Sequence, residues 1–329
     1  MKKSIKKEAA KLFGTDTTSL SPLDGGHVSH IYQYPVGQET YVLRITPPGE
    51  DIDAKSLRAT LEWMHFLAEN GAAVARPLLS LNGNLIETIL SDGQLYLAAA
   101  VVKADGILGE ELEFNKWNEG LVEKLGATLG QVHHLSKTYR PPVEFKKPLW
   151  DQVTSNFKPI PMDDTHTFAR LKSEKYTQIV KQLPHDNNNF GLIHMDLHGG
   201  NFFVDPDTRK FTLFDFDDCA YGWFSMDIAM NLFDMLILYP GDDRKAFADW
   251  YLTHFLKGYY DENKLDSFWI EQIPVFQKLL ETGIYSQVIE YFSPETTHSW
   301  SLNFMKNRRE SIKEDIPFIE LDFKKYKQD

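Results

Sequence analysis

The chain has 329 residues, 42% apolar and 13% aromatic, which supports a sizeable core and, on ordinary domain sizes, about two domains or lobes. Its 35 Lys and Arg against 47 Asp and Glu give a net charge of −12, which argues against generic binding to nucleic acid or to an anionic membrane and suits a cationic or neutral partner. The single cysteine, Cys219, excludes an internal disulfide, fits a reducing, cytoplasmic compartment and reads as a packed apolar residue.

Met1 to Phe13 places Ile5, Ala9, Leu12 and Phe13 at helical spacing among five lysines. This is too polar for a signal peptide and reads as a solvated helix packing one face, in preference to a membrane-surface helix; no run in the chain reaches transmembrane length. Gly25 and Gly26 then lie between β-like runs, from Leu23 to Tyr32, in a turn that can offer backbone N–H groups to a triphosphate; an ordinary hairpin turn is the competing reading. Tyr41 to Ile45 reads as a strand with Val42 and Arg44 on the face opposite Tyr41, Leu43 and Ile45. Residues 54 to 69 form a helix with Leu57, Leu61, Met64 and Ala68 on one face, stopped by Asn70-Gly71. Two strands, Asn84 to Leu90 and Leu95 to Val102, turn at Ser91-Asp92-Gly93.

The remainder is mostly helical. Leu121, Leu125, Leu129, Val132 and Leu135 recur at helical spacing, and a proline-punctuated insert follows, Pro141-Pro142 through Pro161 around Trp150, which reads as a substrate flap. A strand from Phe190 to Ile193 leads into His194-Met195-Asp196-Leu197-His198-Gly199-Gly200-Asn201, a hairpin turning at Asp205-Pro206-Asp207, and Asp215-Phe216-Asp217. Phosphoryl transfer needs a placed hydroxyl, a held Mg²⁺ and neutralised charge. Asp196 suits orienting an attacking hydroxyl and accepting its proton, and Asn201 and Asp215 supply oxygen ligands to a hard cation. Asp227 reads as the N-cap of an apolar helix, Ile228 to Leu238; helices follow over 246–259 and, after a break at Pro274, over 275–292, with a charged tail from Lys306.

At these residues the chain resembles the aminoglycoside phosphotransferase and choline kinase superfamily. That loop typically reads H-G-D-x-H-x-G-N, matched by His194, Asp196, His198, Gly200 and Asn201, with Met195 where glycine is usual and Gly199 where proline is; Phe214 to Asp217 matches its I-D-[FWY]-[DE]. The resemblance implies an α+β, two-lobe, protein-kinase-like fold: a small antiparallel sheet lobe over 1–103 and a larger, mainly helical lobe over 104–329. It implies nucleotide contacts from Gly26 and Ser29, from Arg44 in place of the usual strand lysine with Glu62 as its helix partner, and from the backbone of Val101, Val102 and Lys103 at the hinge. Asp196 is then the catalytic residue and Asn201 and Asp215 the metal ligands, with His194, His198, Asp217 and Asp227 supporting them; His133 reads as a packing group. The implied activity is ATP- and Mg²⁺-dependent phosphorylation of a hydroxyl on a small molecule bearing an amine, such as an aminoglycoside, an amino alcohol or a homoserine-like compound. A protein Ser/Thr kinase and a non-catalytic nucleotide-binding module are the alternatives. Neither nucleic acid nor membrane is an expected partner, and the sequence leaves a homodimer open.

Overall fold

The computed structural model describes residues 1–23, 29–49, 54–153, 160, 161, 163, 165–290, 292 and 299–326. Gly26 therefore lies outside the described residues. The chain divides into two compact units, one made of Met1–Asp105, Tyr139–Lys147 and Thr212–Asp217, the other of Gly106–Thr138, Pro148–Phe211 and Asp218–Asp329.

The first unit holds helix α1 (Lys3–Leu12), strands β1 (Ser21–Pro22), β2 (His30–Val36) and β3 (Glu39–Thr46), helix α2 (Ala54–Glu69), and strands β4 (Pro77–Leu78), β5 (Glu87–Ser91) and β6 (Gln94–Val102). They form an antiparallel sheet in the order β1-β2-β3-β6-β4, with β5 also on β6. The alternation of β3 sends Leu43 and Ile45 into a core shared with Ile89 and Ala98, and α1 lays Ile5, Ala9, Ala10 and Phe13 into the same cluster. The N-terminal helix thus spends its apolar face on the sheet. Helix α2 stops at Gly71, whose φ of +85° lets the Ala72 N–H return to Leu67 O at 2.9 Å. Next to it, Leu213 exchanges backbone bonds with Ala73 and Ala75, at 2.9 and 2.8 Å.

The second unit holds β7 (Ile107–Leu108), α3 (Glu119–Ser136), α4 (Thr167–Lys181), β8 (Phe190–Ile193), β9 (Phe202–Asp205), β10 (Lys210–Leu213, its last two residues belonging to the first unit), β11 (Ala220–Trp223), α5 (Phe224–Leu238), α6 (Arg244–Glu262), α7 (Ser267–Ile270), α8 (Ile273–Val288), α9 (Ser299–Met305) and α10 (Arg308–Lys313). Helices α3 and α6 cross backbone to backbone: a Cβ on Gly258 would collide with Glu123 O, and one on Gly126 with Phe255 O. Strand β8 pairs with β11, and β9 lies between β7 and β10. No helix among the described residues is long and apolar enough to cross a membrane.

Three expectations are corrected here. Helix α5 starts at Phe224, so Asp227 sits inside its first turn and does not cap it. Pro274 lies in the first turn of α8, where its missing N–H has no intrahelical partner to lose, so it opens the helix and breaks nothing. The segment from Lys306 is not a solvated tail. Ile312, Phe318, Phe323 and Tyr326 are buried, Phe318 stacks on Phe233 at 4.0 Å, and buried Arg308 pairs with buried Glu281.

Candidate active site

The loop that leaves β8 is held from beneath by one face of α5. Asp227 accepts the N–H of His194 at 2.7 Å and of Met195 at 2.8 Å, Asn231 donates to Leu197 O at 3.4 Å, and Asp234 accepts the N–H of Gly199 at 2.8 Å. Positions 227, 231 and 234 are spaced by four and three, so they share a helix face and meet successive backbone groups of the loop. All three are almost fully buried, where an unmade hydrogen bond costs about 1–3 kcal/mol, so the loop's course is strongly specified. Asn231 is itself held by the Tyr251 hydroxyl at 2.6 Å, and Asp234 by Trp300 Nε1 at 2.7 Å. Sequence reasoning missed Asn231 and Asp234; their signal was polar residues at helical spacing from Asp227 inside an apolar helix.

The two departures from the usual loop sequence have structural readings. Met195 stands at φ +69°, the left-handed region that glycine enters freely and other residues enter at a cost of about 1–2 kcal/mol. Its buried side chain offsets that cost. Gly199 has the N–H that proline lacks, and Asp234 accepts it.

Behind Asp227 stands His133, fully buried, with Nε2 at 3.2 Å from the carboxylate and Nδ1 at 2.9 Å from the Tyr259 hydroxyl. Burial lowers its pKa despite the neighbouring Asp227, so the ring is neutral. Asp227 is the acceptor in both of its bonds to the loop; with the same role toward the ring, the proton sits on Nε2 and Nδ1 accepts from Tyr259. Asn263 Nδ2 completes the chain to Tyr259 at 2.7 Å.

Asp196 is half-buried at the centre of the loop. Burial opposes its charge, but the hydrogen bond and charge of His198, the charge of His194 and the hydrogen bond from Asn201 together hold its carboxyl below the usual range. Asn201 Nδ2 donates to Asp196 O at 2.8 Å and to Asp196 Oδ2 at 3.0 Å. His198 Nε2 lies 3.5 Å from Asp196 Oδ2, and its Nδ1 accepts the Gly200 N–H at 3.0 Å. Burial disfavours the His198 cation, yet the carboxylates of Asp196, Asp234 and Glu110 push its pKa up to about 9. Taking the second proton on Nδ1 requires giving up the Gly200 bond.

In the first unit, Arg44 reaches from β3 to Asp217 Oδ2 at 2.6 Å and donates from Nε to Ser29 Oγ at 2.9 Å, and Ser29 Oγ meets Thr46 Oγ1 at 2.8 Å. Ser29, Arg44 and Asp217 are thus one cluster. The expected Arg44–Glu62 pair is corrected: Glu62 accepts from Arg58 Nε and Nη2 at 3.1 and 2.9 Å, one turn away on α2. A near partner at i,i+4 on the same helix captures it without any tertiary constraint. At the hinge, the N–H groups are already engaged. Val101 is paired on both sides, with Val42 and Pro77, the Val102 N–H goes to Arg76 O at 2.9 Å and the Lys103 N–H to Thr40 O at 2.8 Å. Lys103 Nζ reaches Gln33 Oε1 at 2.7 Å. With these donors taken, the next backbone N–H groups belong to Ala104 and Asp105. Asp215 is exposed, at φ +59°, and Cys219 is buried.

Comparison with known proteins finds relatives of the whole chain. The model of the phosphotransferase enzyme family matches residues 19–264. Amicoumacin kinase of Bacillus subtilis (strain 168) is 34% identical over 303 residues, 90% of this chain and 87% of that protein. The solved structure of amicoumacin kinase hAmiN in complex with AMP-PNP, Ca²⁺ and Ami superposes with a TM-score of 0.86 at 29% identity, covering 98% of this chain and 96% of that one. A microcompartment-associated aminopropanol kinase shares the fold with a TM-score of 0.70 at 17% identity, over 95% of this chain and 98% of that one. The chain belongs to the phosphotransferase enzyme family, has its two-lobe, kinase-like α+β fold and is a kinase of small molecules.

Proposed function

We propose that this protein moves the γ-phosphoryl group of ATP to a hydroxyl of an amine-bearing small molecule, with amicoumacin the first acceptor to test. The observation that carries the amine is the gathering of acidic side chains, Asp196, Asp234 and Glu110, around His198, which outnumber that one ring and give an acceptor whose hydroxyl meets Asp196 acidic surroundings. The 34% identity to an amicoumacin kinase supports the particular acceptor.

ATP with a divalent cation is the phosphoryl donor, as the AMP-PNP and Ca²⁺ of the related complex support. The donor set fits Mg²⁺. Both bonds that Asn201 Nδ2 donates go to Asp196, which leaves a neutral amide oxygen to offer, and Asp215 presents an exposed carboxylate. Once bound, Mg²⁺ supplies positive charge to the phosphates. Asp196, kept ionised by His198 and Asn201, orients the acceptor hydroxyl and takes its proton as the new P–O bond forms. Arg44 contacts the phosphates, oriented by Asp217 in the place expected of Glu62, with Ser29 beside it. Ala104 and Asp105 meet the adenine edge. His194, His198, Asp217 and Asp227 hold these groups in position.

The test is a coupled ADP-release screen of the purified protein with amicoumacin, aminoglycosides, amino alcohols, homoserine and uncharged sugars. The best acceptor should carry an amine, and its KM should rise with salt, because attraction between exposed charges is screened beyond a Debye length of about 8 Å at physiological ionic strength. An uncharged sugar as best acceptor, or a KM indifferent to salt, sinks the electrostatic reading.

A further inference from the structure

Lys147 is a charged side chain for which the reaction so far has no use. It is only 5% exposed, and among the described residues no carboxylate lies within ion-pair distance of it. Its ammonium instead donates to three neutral oxygens: Ser56 Oγ at 3.2 Å, Thr60 Oγ1 at 3.1 Å and the main-chain oxygen of Asp217 at 3.0 Å. Thr60 in turn donates its hydroxyl proton to Ser56 O at 3.2 Å, which turns its lone pairs toward the lysine. Three donors thus meet three acceptors, and the group is fully occupied. Burying an ammonium without an anion is costly, and an apolar residue of the same length would fill the space with no such cost. The expense makes sense if the position of one of its partners matters.

Two partners belong to α2 and the third to the segment that carries Asp215. Asp217 is consequently gripped at both ends, its carboxylate by Arg44 at 2.6 Å and its carbonyl by Lys147 at 3.0 Å. One residue earlier, Phe216 meets Trp63 of α2 edge to face at 5.3 Å. The chain just before Lys147 is itself fastened along α2, with Tyr139 against Phe66 at 5.0 Å and Phe145 under the Arg58 guanidinium at 5.2 Å. The stretch 139–147 is therefore a strap on α2 whose end delivers a cation to the backbone two residues past Asp215. The sequence reading of this insert as a substrate flap does not account for that contact.

We propose that Lys147 is a positioning residue: it fixes the backbone at Asp217 against α2 and so sets the aim of the Asp215 carboxylate on the metal–nucleotide complex. This rests on the reading of Asp215 as a metal ligand. A main-chain bond cannot be replaced by drift of a side chain, so loss of the ammonium frees the segment while leaving Asp215 chemically intact.

The experiment is calorimetric binding of ADP to the full-length protein, with saturating Mg²⁺ and again with EDTA, for the wild type, Lys147→Met, Lys147→Arg and Asp215→Ala, with Tm measured for each. Lys147→Met should weaken Mg²⁺·ADP binding about tenfold or more while ADP binding in EDTA stays within twofold, and Lys147→Arg should recover part of the loss. Ser56→Ala, which removes one of the three acceptors from a half-buried position, keeps the test open if Lys147→Met does not fold; a twofold to threefold loss confined to the Mg²⁺ arm is expected. Equal binding in both arms with only a lower Tm, or for Ser56→Ala no change in either arm, makes the lysine a fold-stabilising group and overturns the proposal. If Asp215→Ala also leaves the Mg²⁺ arm unchanged, the metal assignment falls and the proposal falls with it; if Asp215→Ala abolishes that arm while Lys147→Met does not, only the proposal fails.

Discussion

The catalytic loop and the Arg44 cluster are built in opposite ways. The loop from His194 to Asn201 is fixed through its backbone, by side chains of α5 that are buried and reach it at 2.7 to 3.4 Å. The cluster on β3 is fixed through charged side chains that keep access to water, Arg44 at 22% and Asp217 at 38% exposure. Buried backbone contacts have no cheap alternative, so the loop holds its geometry before any ligand arrives. Half-exposed ions can exchange partners at little cost. On the proposed reading, the chemistry falls on the part held through its backbone and phosphate binding on the part held through half-exposed ions.

The largest effect should come from the group the rigid support exists to aim. Asp196→Asn should lower kcat by on the order of 10² to 10⁴ while leaving nucleotide affinity near normal, if the residue faces the acceptor hydroxyl as proposed. Steady-state kinetics with the best acceptor, paired with nucleotide titration, checks both halves. Near-full turnover would remove Asp196 from the mechanism.

Next is the support itself. Asp227→Ala leaves the N–H groups of His194 and Met195 and the His133 ring without their acceptor, all in a buried region. Breaking a buried charged contact of this kind costs about 3–5 kcal/mol, readable as a shift in urea midpoint at constant m-value. A loss under about 1 kcal/mol would mean that the loop is not held from α5.

Gly199→Pro sharpens the same point, because it installs the residue usual in related loops. Here it removes the N–H that Asp234 accepts at 2.8 Å and sets a ring where a Cβ would already lie 2.9 Å from Glu110 N. A destabilisation of about 1–3 kcal/mol is expected, and a neutral or stabilising result would show that Asp234 is satisfied by Trp300 alone.

These substitutions also mark how far the sequence could be read. The strand over Tyr41 to Ile45 and the helix over 54–69 with its stop at Asn70-Gly71 followed from period and turn signals, whereas α4 and β11 were not read from the sequence; the candidate catalytic residues were legible as a local motif whose members are close in the chain. Asp227 was legible as a brace only through resemblance; as an N-cap it was misread, because helix onset depends on how β11 delivers Phe224, which no local pattern records. Burial of Arg308 against Glu281 was hidden for a similar reason, since a charge-rich segment looks solvated until its partner, 27 residues away, is known. Glu62 was matched to Arg44 by analogy with a helix–strand pair, whereas tertiary proximity gave Arg44 to Asp217 and left Glu62 to a neighbour on its own helix.

That exchange of partners yields the smallest and most discriminating prediction. If Arg44 and Asp217 work as a unit, Arg44→Ala and Asp217→Ala should each weaken Mg²⁺·ADP binding, and the double mutant should lose less than the sum. Contacting residues commonly couple by 0.5–3 kcal/mol, and partial exposure of this pair puts the expectation near the lower end, at about 1 kcal/mol. The control cycle pairs Arg44→Ala with Glu62→Ala, which share no contact here and should add to within about 0.5 kcal/mol. Coupling in the second cycle and additivity in the first would mean that the nucleotide-bound protein returns Arg44 to Glu62, and the adjustable part of the molecule would then have moved on binding. Coupling in the first alone means that Asp217 orients the phosphate-binding arginine throughout, so that the segment bearing the metal carboxylate also sets the charge beside it.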